Sequence, residues 1–270
     1  MLPSMMSRID SAFKKGHLEN RPLLITYSVC GDPNKKKSLE ILKSISEHVD
    51  IVEWGFAFNS PTADGPDIQN STYRAIKNGI NLKKTFELVK NYKRYKNSKP
   101  LILMGYYQII FHYGEKKFVK KCKEVGVDGL IVVDLPWPDN KNFAKLCKKN
   151  SICFVQLIAP TTTKKRMKLI IKDSHQMVYQ ISMISTTGKK LKVPAKEIIR
   201  NNKIIKRINP KKNVVVGFGI TKKTISLLKE CDGLVVGSAI CKGISTSLKR
   251  RQNPVINLNK MVKELKSKII

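Results

Sequence analysis

The segment from Glu53 to Pro66 carries two carboxylates whose placement suits acid–base chemistry. Glu53 follows the apolar pair Ile51-Val52 at the expected end of a strand, and Asp64 lies in a loop rich in glycine and proline. Loops on a rigid scaffold often carry catalytic groups. We therefore predict that the two acids form an acid/base pair. The alternative is a buried structural Glu53 and an Asp64 that belongs to an Asp-Gly turn.

The elements that must position these acids follow a regular alternation. Short apolar stretches alternate with amphipathic helical patterns, which predicts a parallel sheet covered by helices. Eight such repeats in a chain of 270 residues predict an α/β fold of the (β/α)8 TIM-barrel type. The predicted strands begin near Leu23, Ile51, Leu101, Leu130, Ile152, Met177, Asn213 and Leu234. An open, doubly wound sheet is the alternative, although no GxGxxG motif follows the first strand. Because no linker interrupts the pattern, we expect one domain over residues 1–270.

A barrel of this type places its active site at the carboxyl ends of the strands. Tyr106 and Tyr179 lie at two of these ends. Glycines follow the sixth, seventh and eighth predicted strands, where barrels often bind a phosphate through backbone N–H groups and a helix N-terminus. The predicted phosphate site consists of Gly188, Gly219, Gly237 and Ser238.

Composition narrows the classes of function. The 52 Lys and Arg residues against 20 Asp and Glu give a net charge of +32, which raises the hypothesis of a polyanion-binding protein. The lysines are spread along the whole chain, so we favour a solvated basic surface with no specific nucleic-acid site. The six cysteines form no CxxC pair or metal-type cluster, and no apolar run approaches the roughly 20 residues of a membrane span. A cytoplasmic protein without a bound metal is expected.

Short motifs along the whole chain resemble those of one protein family. The segment from Glu53 to Pro66, followed by Gln69-Asn70, resembles the signature of the tryptophan synthase alpha chain family. Further landmarks agree in order and spacing, and these are Gly31-Asp32-Pro33, Leu103 to Tyr107, Val127 to Gly129, Asp134 to Pro136, Ala159 to Thr162, Gly217 to Ile220 and Val236 to Ile240.

The resemblance implies a lyase of tryptophan biosynthesis. Its TIM barrel would cleave indole-3-glycerol phosphate by retro-aldol chemistry to indole and glyceraldehyde 3-phosphate. Glu53 would protonate the indole ring carbon and deprotonate the glycerol hydroxyl, while Asp64 would stabilise the charge that develops on the indole nitrogen. Tyr106 and Tyr179 would contact substrate, and Gly188, Gly219, Gly237 and Ser238 would bind its phosphate.

The resemblance also implies a partner. The chain would assemble with a beta chain as an alpha2-beta2 heterotetramer and would pass indole to it. No cofactor is expected in this chain, whereas the beta chain would carry pyridoxal phosphate.

Several positions depart from the family pattern. Ala57 and Ser60 replace a proline and an aspartate that face the beta chain, and Met183 and Ser185 replace the arginine and first glycine of the mobile lid. These changes raise an alternative function, in which a catalytically weakened subunit acts mainly as an activator of the beta chain.

Overall fold

The structure is a computed structural model that describes residues 6–186, 189–192, 194–217, 220 and 224–270. The strands are β1 (Leu23–Val29), β2 (Ile51–Gly55), β3 (Leu101–Gly105), β4 (Gly129–Val132), β5 (Cys153–Phe154), β6 (Gln156–Ile158), β7 (Met177–Ile181), β8 (Met183–Thr186), β9 (Lys189–Lys192), β10 (Asn213–Gly217) and β11 (Gly233–Val236). The α-helices are α1 (Arg8–Leu18), α2 (Lys35–Ile45), α3 (Pro66–Lys77), α4 (Leu82–Lys93), α5 (Tyr107–Tyr113), α6 (Glu115–Val125), α7 (Lys141–Lys149), α8 (Lys164–Asp173), α9 (Ala195–Ile208), α10 (Ser238–Lys249) and α11 (Pro254–Lys266).

Nine of the strands form one parallel sheet that closes on itself. Its order is β5-β4-β3-β2-β1-β11-β10-β7-β6. Only Val155 separates β5 from β6, so the two ends of the sheet are halves of a single interrupted strand. Counting these halves as one strand gives the eight strands of a (β/α)8 barrel. The predicted TIM barrel is confirmed, and the open doubly wound sheet is wrong.

The barrel strands are buried along almost their whole length. Every residue of β1, β2 and β3 is buried, as expected for parallel strands that are covered by helices outside and by side chains inside. The largest fully buried side chain is Trp54, whose ring meets Tyr92 of α4 edge-on, with ring centroids 6.3 Å apart. Trp54 is therefore a packing residue on the outside of the barrel rather than part of a central pocket.

Four side chains at the amino-terminal end of the barrel cap neighbouring strands. Each lies just before one strand and accepts a backbone N–H near the start of the preceding barrel strand. The pairs are Asp50 with Leu24 (2.8 Å), Asp128 with Leu101 (2.7 Å), His175 with Phe154 (2.9 Å) and Asp232 with Val214 (2.7 Å). The same contact recurs before the second, fourth, sixth and eighth strands of the barrel. This repetition indicates that the amino-terminal end of the barrel has a stabilising role.

The helices differ from the sequence prediction in three places. α3 begins at Pro66 and not at Asn70-Ser71-Thr72, whose polar side chains favour the start of a helix, because proline has the backbone angle of a first helical turn and no N–H to satisfy. α5 and α10 follow the strand ends at Gly105 and Val236 and were not predicted. The segment before α9, where the apolar pattern indicates no strand, contains an antiparallel ribbon formed by β8 and β9.

Within the described part of the chain, no helix is long and apolar enough to span a membrane.

Candidate active site

One cavity of about 230 Å³ opens at the carboxyl ends of the barrel strands. Five of the predicted site residues contribute to its wall: Glu53, Asp64, Tyr179, Gly237 and Ser238. The structure thus brings together side chains from β2, the loop before α3, β7 and the start of α10. The other residues of the wall are Tyr27, Asp67, Ile68, Met104, Ile220, Val235, Ala239 and Lys242.

Glu53 is the most unusual group in the cavity. It is completely buried, and neither of its carboxylate oxygens has a hydrogen-bond partner among the residues that the structure describes. Burial raises its pKa from an ordinary 4.5 to about 8, because the charged form loses its hydration. At neutral pH the Glu53 side chain is therefore largely protonated and able to donate a proton.

Asp64 is held over the cavity by Tyr106. The Tyr106 hydroxyl donates to Oδ2 of Asp64 over 3.2 Å and accepts the N–H of Ala63 over 3.0 Å. The Gln69 amide donates to the backbone carbonyl of Asp64 over 2.9 Å, which ties the loop to α3. Burial raises the pKa of Asp64 to about 6, and the Tyr106 hydrogen bond opposes this rise. Asp64 is thus largely ionised at neutral pH, in contrast to Glu53.

Two tyrosines form the aromatic floor of the site. Tyr27 pairs in register with Glu53 on the adjacent strand, and Tyr179 projects from β7. Burial, followed by the charge of Glu53, raises the pKa of Tyr179 well above 10, so its hydroxyl stays protonated. Glycine makes room for this ring, because a Cβ on Gly217 would lie 1.7 Å from the Tyr179 hydroxyl oxygen.

The amino-terminal end of α10 faces the same cavity. Gly237 precedes the helix, Ser238 is its first residue, and both line the cavity with Ala239. The first N–H groups of a helix have no partner within it, and the helix dipole makes this end attractive to anions. Lys242 lies one turn further on and adds a positive charge to the rim.

The remaining predicted residues have different positions. Tyr106 is buried but does not line the cavity, and its hydroxyl bonds to Asp64 and Ala63. Gly188 and Gly219 lie outside the described residues, as do the side chains of the altered lid positions Met183 and Ser185.

Sequence reasoning missed several residues of the wall, above all Tyr27 and Lys242. Tyr27 lies inside a continuous apolar run, which does not reveal which side chains point into a barrel. Lys242 belongs to α10, a helix that follows a predicted glycine turn and contains Gly243 and several serines and threonines. The amphipathic pattern from Ile240 to Ser247 could have predicted this helix and its position at the site. In the described part of the chain, no group of His, Cys, Asp and Glu side chains could hold a metal ion.

Comparison with known proteins places this chain in a family. The family model "Tryptophan synthase alpha chain" matches residues 13–270. The tryptophan synthase alpha chain of Pelagibacter ubique is 61% identical over 264 residues, covering 98% of this chain and all of the relative. The alpha subunit structure from Legionella pneumophila superposes with a TM-score of 0.88 at 27% identity, covering 98% of each chain.

A further structure is that of a tryptophan synthase complex from Pyrococcus furiosus. It matches with a TM-score of 0.80 at 37% identity, covering 90% of this chain and 97% of its own. The match of family model, sequence and barrel extends over nearly the whole chain. The chain therefore belongs to the tryptophan synthase alpha chain family.

Proposed function

We propose that Glu53 and Asp64 are the catalytic pair of the reaction of this family. As a member of the family, the chain is a carbon–carbon lyase that cleaves indole-3-glycerol phosphate to indole and glyceraldehyde 3-phosphate. The observation that carries the residue assignment is the fully buried Glu53 carboxyl, which shares one cavity with Asp64.

The raised pKa of Glu53 fits the proton transfers that the reaction needs. The bond between the ring carbon and the glycerol chain breaks readily only after that ring carbon has gained a proton. Protonated Glu53 supplies it and becomes a carboxylate. The carboxylate then takes the proton of the adjacent hydroxyl as the carbon–carbon bond breaks, the aldehyde forms and the bonding electrons return to the ring. Glu53 ends the cycle protonated, as it began.

Asp64 has the complementary task. Protonation of the ring carbon leaves a positive charge on the indole nitrogen, and a carboxylate accepting the N–H stabilises that charge. The lower pKa of Asp64 keeps it ionised while Glu53 is protonated. Two carboxyl groups with separated pKa values in one site are a recurring arrangement in acid–base catalysis.

The phosphate end of the substrate is assigned to the start of α10. Backbone N–H groups of Gly237 and Ser238 bind the phosphate, and the charge of Lys242 reinforces the site. Gly188 and Gly219 remain predicted members of the same site. Tyr179 closes the floor below the glycerol chain and excludes water from it.

The partner is a tryptophan synthase beta chain, to which indole passes in an alpha2-beta2 assembly. The Pyrococcus furiosus relative supports this proposal because its structure is that of a tryptophan synthase complex. In that assembly the beta chain carries pyridoxal phosphate, and this chain contributes the barrel. We further propose a single domain over residues 1–270 and a location in the cytoplasm. The comparisons do not favour the alternative of a catalytically weakened activator.

Indole release from indole-3-glycerol phosphate, assayed with and without the beta chain, tests the assignment. Removing a positioned acid or base typically costs about 10²- to 10⁴-fold in rate, so Glu53→Gln and Asp64→Asn are each expected to lose at least about 100-fold. Asp67→Asn is the matched control, because Asp67 also lines the cavity but has no proposed role in the chemistry. Normal turnover in either catalytic variant would contradict the assignment. Equal loss in the control would show that any carboxylate of the wall is needed.

A further inference from the structure

A second cleft, of about 350 Å³, lies between α7 and the end of α8, outside the barrel. It shares no lining residue with the active-site cavity. Four lysines contribute to its wall: Lys141, Lys145, Lys148 and Lys172. We propose that this cleft binds a short oligophosphate chain, such as inorganic triphosphate or the triphosphate of a nucleotide.

The spacing of the lysines on α7 creates a row of positive charge. Lys141, Lys145 and Lys148 are separated by four and three residues, so they lie on one face of the helix. The separation of seven positions between Lys141 and Lys148 corresponds to about 10 Å along the helix axis. Lys172 flanks this row from the end of α8. A chain of two or three phosphates matches this spread of charge better than a single phosphate does.

The positive charge of the cleft is poorly neutralised. Its one acidic residue is Asp173, whose Oδ2 lies 3.5 Å from the Lys141 ammonium. Lys145, Lys148 and Lys172 have no ion-pair partner within the described part of the chain. Burial and then the charge of Lys148 lower the pKa of His175, which also lines the cleft, to about 4. The field of Lys148 therefore reaches the cleft, where Asp173 is the one carboxylate and interacts with Lys141 and Lys172.

Ordinary helix energetics explain only part of this arrangement. Lys148 lies in the last turn of α7, where the helix dipole favours a cation. Lys141 and Lys145 lie earlier in the helix, and like charges four residues apart destabilise it. A multivalent anion would relieve this repulsion, and lysine ammonium groups are established phosphate ligands in proteins.

Trp137 provides a spectroscopic reporter at the edge of the cleft. The Lys141 ammonium lies 4.8 Å from the centre of the Trp137 ring, and the indole N–H donates to Asp173 over 2.8 Å. The other tryptophan of the chain, Trp54, is fully buried beside Tyr92 and serves as a constant background. An anion that draws Lys141 away from the ring is expected to change the Trp137 emission in a saturable way.

The experiment titrates the full chain with inorganic triphosphate and, separately, with ATP, at moderate salt. Similar affinities would identify the phosphate chain of a nucleotide as a ligand, and binding of triphosphate alone would restrict the ligand to inorganic oligophosphates. Either result supports the proposal. If the Trp137 emission of the protein shows no saturable change with either probe, the proposal is overturned.

A pair of charge-matched variants separates the cleft from the general basicity of the protein. Lys145→Gln with Lys148→Gln removes two charges from the cleft, and Lys117→Gln with Lys120→Gln removes two exposed charges at the same spacing from α6. Losing two charged phosphate contacts is expected to weaken binding at least about tenfold in the first pair and to leave the second nearly unchanged. If both double variants weakened binding equally, binding would depend on the net charge of the protein and not on the cleft, which would contradict the proposal. Indole release should be unchanged in both, so this test fails or succeeds independently of the catalytic assignment.

Discussion

The Tyr106 hydroxyl makes two hydrogen bonds to the loop that carries Asp64. It donates to Oδ2 of Asp64 over 3.2 Å and accepts the N–H of Ala63 over 3.0 Å. Tyr106 comes from the end of β3 and Asp64 from the loop after β2. The rigid sheet therefore fixes the carboxylate of a loop residue. Tyr106 does not line the cavity itself, but it holds a carboxylate that does.

Replacing Tyr106 by phenylalanine should impair catalysis through Asp64. The lost hydrogen bond favours the ionised form, so the Asp64 pKa is expected to rise above about 6 and the acid limb of the kcat/KM profile to move to higher pH. Loss of a hydrogen bond to a charged group should lower kcat/KM about tenfold at neutral pH.

The neighbouring Tyr107 gives a matched control. Its hydroxyl donates to Glu115 over 2.7 Å, away from the cavity. Tyr107→Phe is expected to leave both kcat/KM and its pH profile unchanged. A Tyr106→Phe profile that coincides with the wild type would show that the Asp64 ionisation is set by burial alone.

The buried Glu53 carboxyl should also appear in the pH dependence of stability. Its pKa is about 8 in the folded protein and near 4.5 in the unfolded chain, so the folded state holds the extra proton between these values. Stability is then expected to fall as the pH rises from about 4.5 to about 8. Glu53→Gln removes the titration, and its free energy of unfolding should exceed that of the wild type increasingly with pH, by at most about 5 kcal/mol.

Thermal unfolding of both proteins between pH 5 and pH 9 measures this difference. Asp64→Asn provides the comparison, because the Asp64 pKa rises only to about 6 and its effect should be complete near neutral pH. A difference between Glu53→Gln and wild type that does not depend on pH would mean that Glu53 ionises normally.

The sequence alone predicted the barrel and several residues of the cavity wall, for identifiable reasons. Parallel strands are buried on both faces and therefore appear as continuous apolar runs, and Glu53 interrupts such a run at its end. The same continuity hides Tyr27, because nothing in an unbroken apolar run marks the residues that point inward. The role of Tyr106 depends on a contact across 42 positions of chain, which no local pattern records. The lysines of α7 are part of a general basic surface in the sequence, and only the fold shows that they share a cleft with residues at the end of α8.

Lys242 offers a test of the proposed phosphate site at the start of α10. It lines the cavity one turn after Ser238, and an exposed charge near a phosphate contributes modestly to binding. Lys242→Gln is expected to raise KM for indole-3-glycerol phosphate about threefold with little change in kcat, and high salt should reduce the difference. Lys249→Gln is the control, because it lies seven residues further on the same helix and does not line the cavity. If kcat fell while KM stayed constant, Lys242 would act in the chemistry instead of in binding.

Asp50 tests whether the amino-terminal end of the barrel serves stability alone. Its carboxylate accepts the N–H of Leu24, binds Arg21 in a bidentate pair at 2.8 and 2.9 Å, and meets the Lys266 ammonium at 2.7 Å. Burial would raise the pKa of Asp50, but the hydrogen bond from Arg21 and the charge of Lys266 outweigh it and hold the pKa below its ordinary value. Asp50→Asn retains an acceptor for Leu24, but it leaves Lys266 without its carboxylate and Arg21 paired only with the half-exposed Glu19. Breaking a buried pair in this way typically costs about 3–5 kcal/mol of unfolding free energy.

Chemical denaturation, with indole release measured at a temperature where both proteins are folded, separates stability from catalysis. Glu40→Gln is the matched control, because the Lys37–Glu40 pair has a similar 2.7 Å separation but both side chains are more than a third exposed, so its loss should have little effect on the free energy of unfolding. Because the folded pKa of Asp50 is depressed, its contribution should persist at neutral pH and disappear only as the pH falls through that pKa, below 3.8. Normal indole release by a destabilised Asp50→Asn protein would assign this end of the barrel to stability. A loss of turnover in the folded variant would instead show that the strand caps also hold the catalytic carboxyls at the opposite end in position.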